Sequence, residues 1–332
     1  MKRLLIPALM LAVFLLLGCS PTEPEPEPEP VVWVSEKILT TNGNIKLIAV
    51  TDNGAVYYAA KGAALGQKIF CLGLDSQEQE IEIPSYLTYL TAWRDQIVLS
   101  SWMGTEIYCN GTINIITETD LLPAGEPIVN PANELIILAE SYHCTGYLFI
   151  INPNGEITTE KEIYDKYYYQ KNLSMFAYGA STTYYDNVLI LYQCIGRDNK
   201  KFVISALPYN FIEGTKIYKP IQAIPVLPSE NVPILVLCDN GDLWLITGRW
   251  DAPQKIKAKE FLPNPNIKKF WVKRGVIIAA GTNGDLYTFN GENLKFSESM
   301  GNFGEIFAVD YLNGEFYLAT STGLWKVFPE PK

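Results

Sequence analysis

Asn240-Gly241-Asp242-Leu243-Trp244 recurs with small changes as Asn283-Gly284-Asp285-Leu286-Tyr287 and as Thr322-Gly323-Leu324-Trp325. The glycines of these three stretches are 43 and 39 residues apart, and an apolar and an aromatic residue follow them closely each time. Glycine favours a tight hairpin turn because it adopts a positive φ at no steric cost. A repeat of about 40–50 residues is typical of the four-stranded blade of a β-propeller. We therefore expect each stretch to form the turn into the third strand of a blade.

Short apolar runs extend this repeat over the rest of the chain. Seven of them are separated by 41, 39, 53, 45, 43 and 40 residues. Runs such as Leu135–Leu138, Val188–Leu191 and Ile234–Leu237 are apolar at every position, which is typical of strands with both faces buried. The reference positions of the seven runs, from which the separations are counted, are Val56, Ile97, Ile136, Leu189, Ile234, Ile277 and Tyr317.

The repeat predicts an all-β fold, a seven-bladed β-propeller of four-stranded antiparallel blades. Residues 31–332 would give each blade about 43 residues. Eight Asn-Gly pairs indicate one hairpin after another. An eight-bladed ring is the alternative, because the 53-residue gap between Ile136 and Leu189 fits either a long loop or an additional half-blade.

The two ends of the folded region predict how the ring closes. After Ile306–Asp310, Glu315–Thr320 and Leu324–Phe328 the sequence ends, so the last blade has three strands of its own. Val31–Val34 precedes the first complete blade and is free to serve as the missing outer strand. We expect this N-terminal strand to complete the last blade, because an open seam would leave an unpaired sheet edge.

The N-terminus resembles a bacterial lipoprotein signal. Lys2 and Arg3 precede the apolar run Leu4–Leu17, which is too short for a membrane-spanning helix of about 20 residues. Gly18-Cys19 resembles the lipobox, in which the cysteine is acylated, for example with palmitate, after cleavage. Residues 1–18 are thus predicted to be the signal peptide, and residues 19–30 the lipidated Cys19 and a Pro/Glu-rich spacer. Residues 31–332 then form the propeller.

The lipoprotein signal predicts a location in the bacterial cell envelope, with the membrane contacted through the lipid anchor. Ser20 stands where an aspartate would resemble an inner-membrane retention signal, so the outer membrane is favoured if the cell has one. The net charge of −10, without a basic cluster, argues against nucleic acid as a partner. We expect a monomer.

The Gly-x-Leu-Tyr/Trp stretches that begin at Gly241 and Gly284, together with the shorter Gly323-Leu324-Trp325, resemble the repeats of pyrroloquinoline-quinone-type and two-component-regulator-type propellers of bacteria. The resemblance covers about three blades well, and it implies the propeller fold. The motifs are too short to map any residue of a quinone site. No cofactor is therefore predicted.

The sequence holds few residues that indicate catalysis. His143 is the only histidine, so a multi-histidine metal site is excluded and a catalytic triad could form at one place alone. We predict no catalytic residues and no metal ligands. The alternative is an envelope enzyme that acts on a polysaccharide through paired carboxylates at the mouth of the propeller channel.

Five cysteines follow Cys19, so at least one thiol remains unpaired. Cys71 and Cys109 stand at equivalent third-strand positions, where we expect buried thiols. Cys144 and Cys194 are near turns of successive blades, and the sequence is compatible with either a disulfide between them or two free thiols.

Long loops with aromatic and charged side chains predict a binding face. Loops between second and third strands gather on one face of a propeller, and these loops are longest in the first four blades. Exposed aromatic residues and arginine on loops are typical of binding hot spots. We therefore predict a non-catalytic binding or scaffold module for an envelope protein or glycan. The candidate residues are Trp102, Tyr142, His143, Tyr167, Tyr168, Tyr169 and Arg197.

Overall fold

In the computed structural model of the chain, Trp33–Lys332 forms one compact unit and Met1–Val32 a separate one. The predicted signal peptide and the spacer with Cys19 lie outside the described residues. The structure describes residues 31–40, 45–60, 68–73, 77–83, 87–101, 104–109, 112–116, 121–123, 126–129, 133–141, 146–162, 188–195, 201–208, 220–225, 234–238, 241–247, 254–257, 266–291 and 293–330.

The described residues form 27 antiparallel strands and no helix. No helix among them could therefore cross a membrane. Five sheets have four strands each. They are β2 (Ile45–Val50), β3 (Val56–Ala60), β4 (Lys68–Leu72) and β5 (Glu78–Glu82); β6 (Leu87–Trp93), β7 (Gln96–Ser101), β8 (Gly104–Cys109) and β9 (Thr112–Ile115); β17 (Pro220–Pro225), β18 (Ile234–Cys238), β19 (Leu243–Thr247) and β20 (Gln254–Lys257); β21 (Ile267–Lys273), β22 (Val276–Gly281), β23 (Leu286–Asn290) and β24 (Lys295–Phe296); and β25 (Ile306–Leu312), β26 (Glu315–Thr320) and β27 (Gly323–Pro329) with β1 (Trp33–Thr40).

Two further sheets complete the description. One has five strands, and the described part of the other has two. The first consists of β10 (Leu121–Pro123), β11 (Ile128–Val129), β12 (Leu135–Ser141), β13 (Gly146–Ile151) and β14 (Ile157–Glu162), and the second of β15 (Val188–Ile195) and β16 (Lys201–Pro208).

The sheets are arranged as the blades of a propeller. The first strands of successive sheets contact one another, β17 with β21, β21 with β25, β25 with β2, and β2 with β6. This chain of contacts places the first strand of each blade on the inside of the ring. The all-β propeller prediction is confirmed, with five complete four-stranded blades in the described part of the chain.

The uniform apolar runs are explained by packing between blades. Along β2, Leu47 and Ala49 belong to a core shared with the sheet of β6, whereas Ile48 and Val50 belong to a core shared with the sheet of β25. A strand in this position has no solvent-facing side, so alternation of apolar and polar residues is lost. Cys71 lies in the first of these cores as a free buried thiol, as predicted, and burial raises its pKa.

The N-terminal strand closes the last blade. β1 pairs with β27 along its length, from Trp33 opposite Pro329 to Thr40 opposite Gly323. The predicted closure is therefore present, but the strand begins two residues later than expected. Val31 and Val32 precede it and are 57% and 58% exposed.

The three repeated glycines occupy the predicted turns. Gly241, Gly284 and Gly323 have φ values of 82°, 93° and 137°, and each stands directly before or at the start of a third strand, β19, β23 or β27. The propensity of glycine for positive φ thus fixes the sharp turn between the second and third strands.

Candidate binding site in the axial cavity

A cavity of about 540 Å³ lies on the axis of the ring. It is lined by the first halves of four first strands, β2, β6, β21 and β25, and by Glu126. We use the name mouth for the end of the cavity at which these first strands begin. The lining residues are Lys46, Leu47, Ile48, Thr88, Tyr89, Leu90, Glu126, Lys269, Phe270, Trp271, Phe307, Ala308 and Val309.

Each of these four strands has a β-bulge near its start, and in β2, β6 and β25 the extra side chain lines the cavity. In five first strands, counting β17, one residue has no partner in the pairing with the second strand of the same blade. A bulge bends its strand and re-aims the extra side chain. Three of the extra residues line the cavity. The five are Lys46, Thr88, Ile221, Lys268 and Phe307.

Two lysines at the mouth lie over aromatic rings. The ammonium of Lys46 lies over the ring of Phe307, and Lys269 Nζ is 4.7 Å from the ring centroid of Trp271. Lys269 Nζ also donates a hydrogen bond of 3.0 Å to the carbonyl of Phe307. Desolvation by burial lowers the pKa of Lys46, although Glu305 opposes this shift. The negative faces of the rings stabilise the ammonium groups without neutralising them.

An ion pair occupies the far end of the cavity. Lys273 Nζ, at the end of β21, lies 2.5 Å from Glu126 Oε1, and their side chains are 11% and 20% exposed. Burial alone would lower the pKa of Lys273, but the carboxylates of Glu126 and Asp310 raise it above its ordinary value. Glu126 lies between β10 and β11, whose residues Pro123 and Ile128 pair with Ala139 and Ile136 of β12.

Beneath this ion pair, charged side chains cover the free edge of β2. The first strand of a blade pairs on one side alone, so the backbone groups on its other edge need partners. Val50 N donates a hydrogen bond of 2.6 Å to Asp310 Oδ2, and Arg274 Nη2 donates one of 2.8 Å to Val50 O. Arg274 also forms an ion pair with Asp52. Burial raises the pKa of Asp310, which Lys273 opposes.

The loop residues predicted to bind a partner, Trp102, Tyr142, His143, Tyr167, Tyr168, Tyr169 and Arg197, all lie outside the described residues. Their prediction therefore stays untested. The sequence predicted a central channel but not the residues that line it, since single-residue bulges leave no mark in a pattern of apolar runs. One signal was available, a lysine near the start of each of two largely apolar strands, Lys46 in β2 and Lys269 in β21.

The described residues contain no group of three or more His, Cys, Asp or Glu side chains placed to hold a metal ion. The described carboxylate among the residues lining the cavity is Glu126, and Lys273 neutralises it. The cavity therefore offers ammonium groups, aromatic rings and backbone groups to a ligand.

No family model matches the sequence, and no curated protein matches it. Among solved structures, 806 chains match the fold. Virginiamycin B lyase from Staphylococcus aureus is similar with a TM-score of 0.57 at 14% identity, over 90% of this chain and 99% of the lyase. YCF48 bound to D1 peptide is similar with a TM-score of 0.51 at 8% identity, over 92% of this chain and 99% of that one. Both are β-propeller proteins, and at these identities the likeness shows the fold alone.

Proposed function

We propose that the protein is a lipid-anchored envelope lipoprotein whose propeller is a non-catalytic module that binds a protein or glycan partner at the mouth of the axial cavity. One observation carries the proposal. The cavity contains a described carboxylate, Glu126, but Lys273 holds it in an ion pair, so a free acid and base pair is lacking among the described lining residues. Hydrolysis of a polysaccharide would require two such carboxylates.

The strand β1 begins at the end of its blade opposite the mouth. β1 runs from Trp33, opposite the end of β27, to Thr40, which stands next to the turn at Gly323. The first strand β25 also begins beside this turn, since Ile306 pairs with Thr320. The first described residues of the propeller therefore lie at the end of this blade that is opposite the mouth.

We further propose seven blades. The seven repeat positions predicted from the sequence each fall in a different sheet of the described structure, in β3, β7, β12, β15, β18, β22 and β26. The strand β1 completes the sheet that contains the seventh of these positions, the sheet of β26. This one-to-one match supports a seven-bladed ring over an eight-bladed one.

The structural neighbours allow both classes of function. YCF48 is a propeller with a bound peptide, which agrees with a binding role for this fold. The other neighbour is a lyase, so the fold itself does not exclude an enzyme. The contents of the cavity favour binding.

Site-specific photo-crosslinking in intact cells tests the proposal. A photo-crosslinking amino acid is placed at Thr88, a bulge residue at the mouth, and in a matched variant at Asn313, an exposed turn residue at the opposite end of the blades. We expect one discrete adduct from Thr88 and none of the same mass from Asn313. The same adduct from both positions, or adducts from Asn313 alone, would contradict binding at the mouth.

A further inference from the structure

The axial cavity is positively charged in a protein that is acidic overall. Its described charged lining residues are Lys46, Lys269 and Glu126, whereas the whole chain has a net charge of −10. The negative charge of Glu126 is compensated by Lys273. The ammonium groups of Lys46 and Lys269 thus add positive charge to the lining of the mouth, beside the ion pair of Lys268 with Glu305, and they are favourable for an anionic group.

The environment of Lys46 favours an anionic partner further. Lys46 makes no ion pair within the described part of the chain, and its contact there is with the ring of Phe307. Desolvation lowers the pKa of Lys46, and the nearby carboxylate of Glu305, which forms an ion pair with Lys268, opposes this shift. A ligand carboxylate placed between Lys46 and Lys269 would supply a charge-assisted hydrogen bond, the stronger kind of polar contact.

Peptide is the class of ligand that fits the rest of the lining. The first strands β2, β6, β21 and β25 each pair with one neighbouring strand, and their other edges lie along the cavity. An extended segment can lie alongside such an edge. The aromatic rings of Trp271 and Phe307 provide surface for its neighbouring side chains. A volume of about 540 Å³ suits a short segment and excludes a folded domain.

We infer that the axial cavity binds a short acidic peptide segment of the partner, with a carboxylate between Lys46 and Lys269. This inference rests on the proposed function, because it names the ligand of the same site. The carboxylate accepts hydrogen bonds from the two ammonium groups, and the rest of the segment lies against the first strands. Asp310, Arg274 and Lys273 form the floor and do not contact the segment.

The inference is tested by calorimetry on the full-length chain in detergent at low salt. The probes are an acetylated and amidated hexapeptide with two glutamates, the same hexapeptide with two glutamines, and trigalacturonic acid as an acidic glycan. We expect the glutamate peptide to bind at least about tenfold more tightly than the glutamine peptide, and its affinity to fall as salt is added. Equal affinities for the two peptides would overturn the inference.

Variants locate the binding. Lys46→Gln combined with Lys269→Gln should reduce the affinity for the glutamate peptide by about tenfold or more, whereas Lys46→Arg with Lys269→Arg retains the charge and most of the affinity. Lys68→Gln is the matched control, because this lysine lies on β4 and is exposed. Unchanged binding by the glutamine variant overturns the inference, and so does loss of binding in the folded arginine variant together with the control.

The remaining outcomes separate the inference from the proposed function. If trigalacturonic acid binds and the glutamate peptide does not, the ligand is a glycan, and binding at the mouth stands while the peptide is rejected. If no probe binds but the crosslink from Thr88 persists, the acidic segment is rejected alone. If that crosslink is also absent, the proposed function fails as well.

Discussion

At the scale of the residue, the turn glycines do more than permit a positive φ. A Cβ built on Gly284 would lie 2.2 Å from the carbonyl oxygen of Gly304, and one on Gly323 would lie 2.2 Å from the carbonyl oxygen of Leu39. A Cβ on Gly241 would meet nothing within 4 Å. Glycine therefore permits a positive φ in all three turns, and in two of them its missing side chain also lets a neighbouring backbone approach closely.

Gly284→Ala should destabilise the protein more than Gly241→Ala. Both variants place an alanine at a positive φ, which costs about 1–2 kcal/mol. Gly284→Ala must also displace the backbone at Gly304, which adds about 1–3 kcal/mol. Urea unfolding of the two variants measures the difference. Equal losses would show that the close approach at Gly304 relaxes freely.

The ion pair on the axis should matter more than one at the surface. Lys273→Met leaves Glu126 and Asp310 buried without their cation, which costs about 3–5 kcal/mol. Lys268→Met on the same strand is the control, because the pair between Lys268 and Glu305 is 53% and 51% exposed and contributes about 0–1 kcal/mol. Chemical denaturation of both variants provides the comparison, and a loss for Lys268→Met as large as that for Lys273→Met would refute the buried role.

At the scale of the element, the sequence and the structure agree where the signal is periodic. The third-strand turns at Gly284 and Gly323 and the closing strand could be predicted, because positive-φ glycines, uniform apolar runs and a blade with a missing strand all leave a mark in the sequence. The bulges at Lys46 and Phe307 could not, since a bulge is defined by pairing with another strand. Because the cavity lining includes these bulge residues, the sequence predicted the fold but not the residues of the site.

Deletion of Val31–Ser35 should lower the melting temperature of the protein or cause aggregation. It removes the first three pairs between β1 and β27 and exposes Phe316, against which the ring of Trp33 packs at 5.6 Å. Deletion of five spacer residues, 25–29, is the matched control and should leave the melting curve unchanged. If the two deletions have the same small effect, β1 does not hold the ring closed.

At the scale of the whole molecule, β1 begins at the end of its blade opposite the cavity mouth. The register of β1 places Trp33 at the end of the last blade away from the turn at Gly323. The proposed function places the partner at the mouth, away from the start of β1.

Replacement of the proposed lipidation site tests the anchor. In Cys19→Ala, the protein should move from the detergent phase to the aqueous phase, because two or more acyl chains are what holds it. Circular dichroism and the melting temperature should not change, since the propeller begins at Trp33. The anchor is disproved if the variant stays in the detergent phase and labelled palmitate fails to enter the unchanged protein.

Hydrogen–deuterium exchange of the full-length chain, with and without the partner crosslinked at Thr88, tests the binding mouth most directly. Peptides that cover Ile45–Ile48, Leu87–Leu90 and Lys269–Trp271 should exchange more slowly in the complex, because these first halves of first strands line the cavity. The turn at Asn313 at the opposite end of the blades should exchange at an unchanged rate. Protection confined to that turn or to the outer strands, with the cavity lining unaffected, would contradict the account.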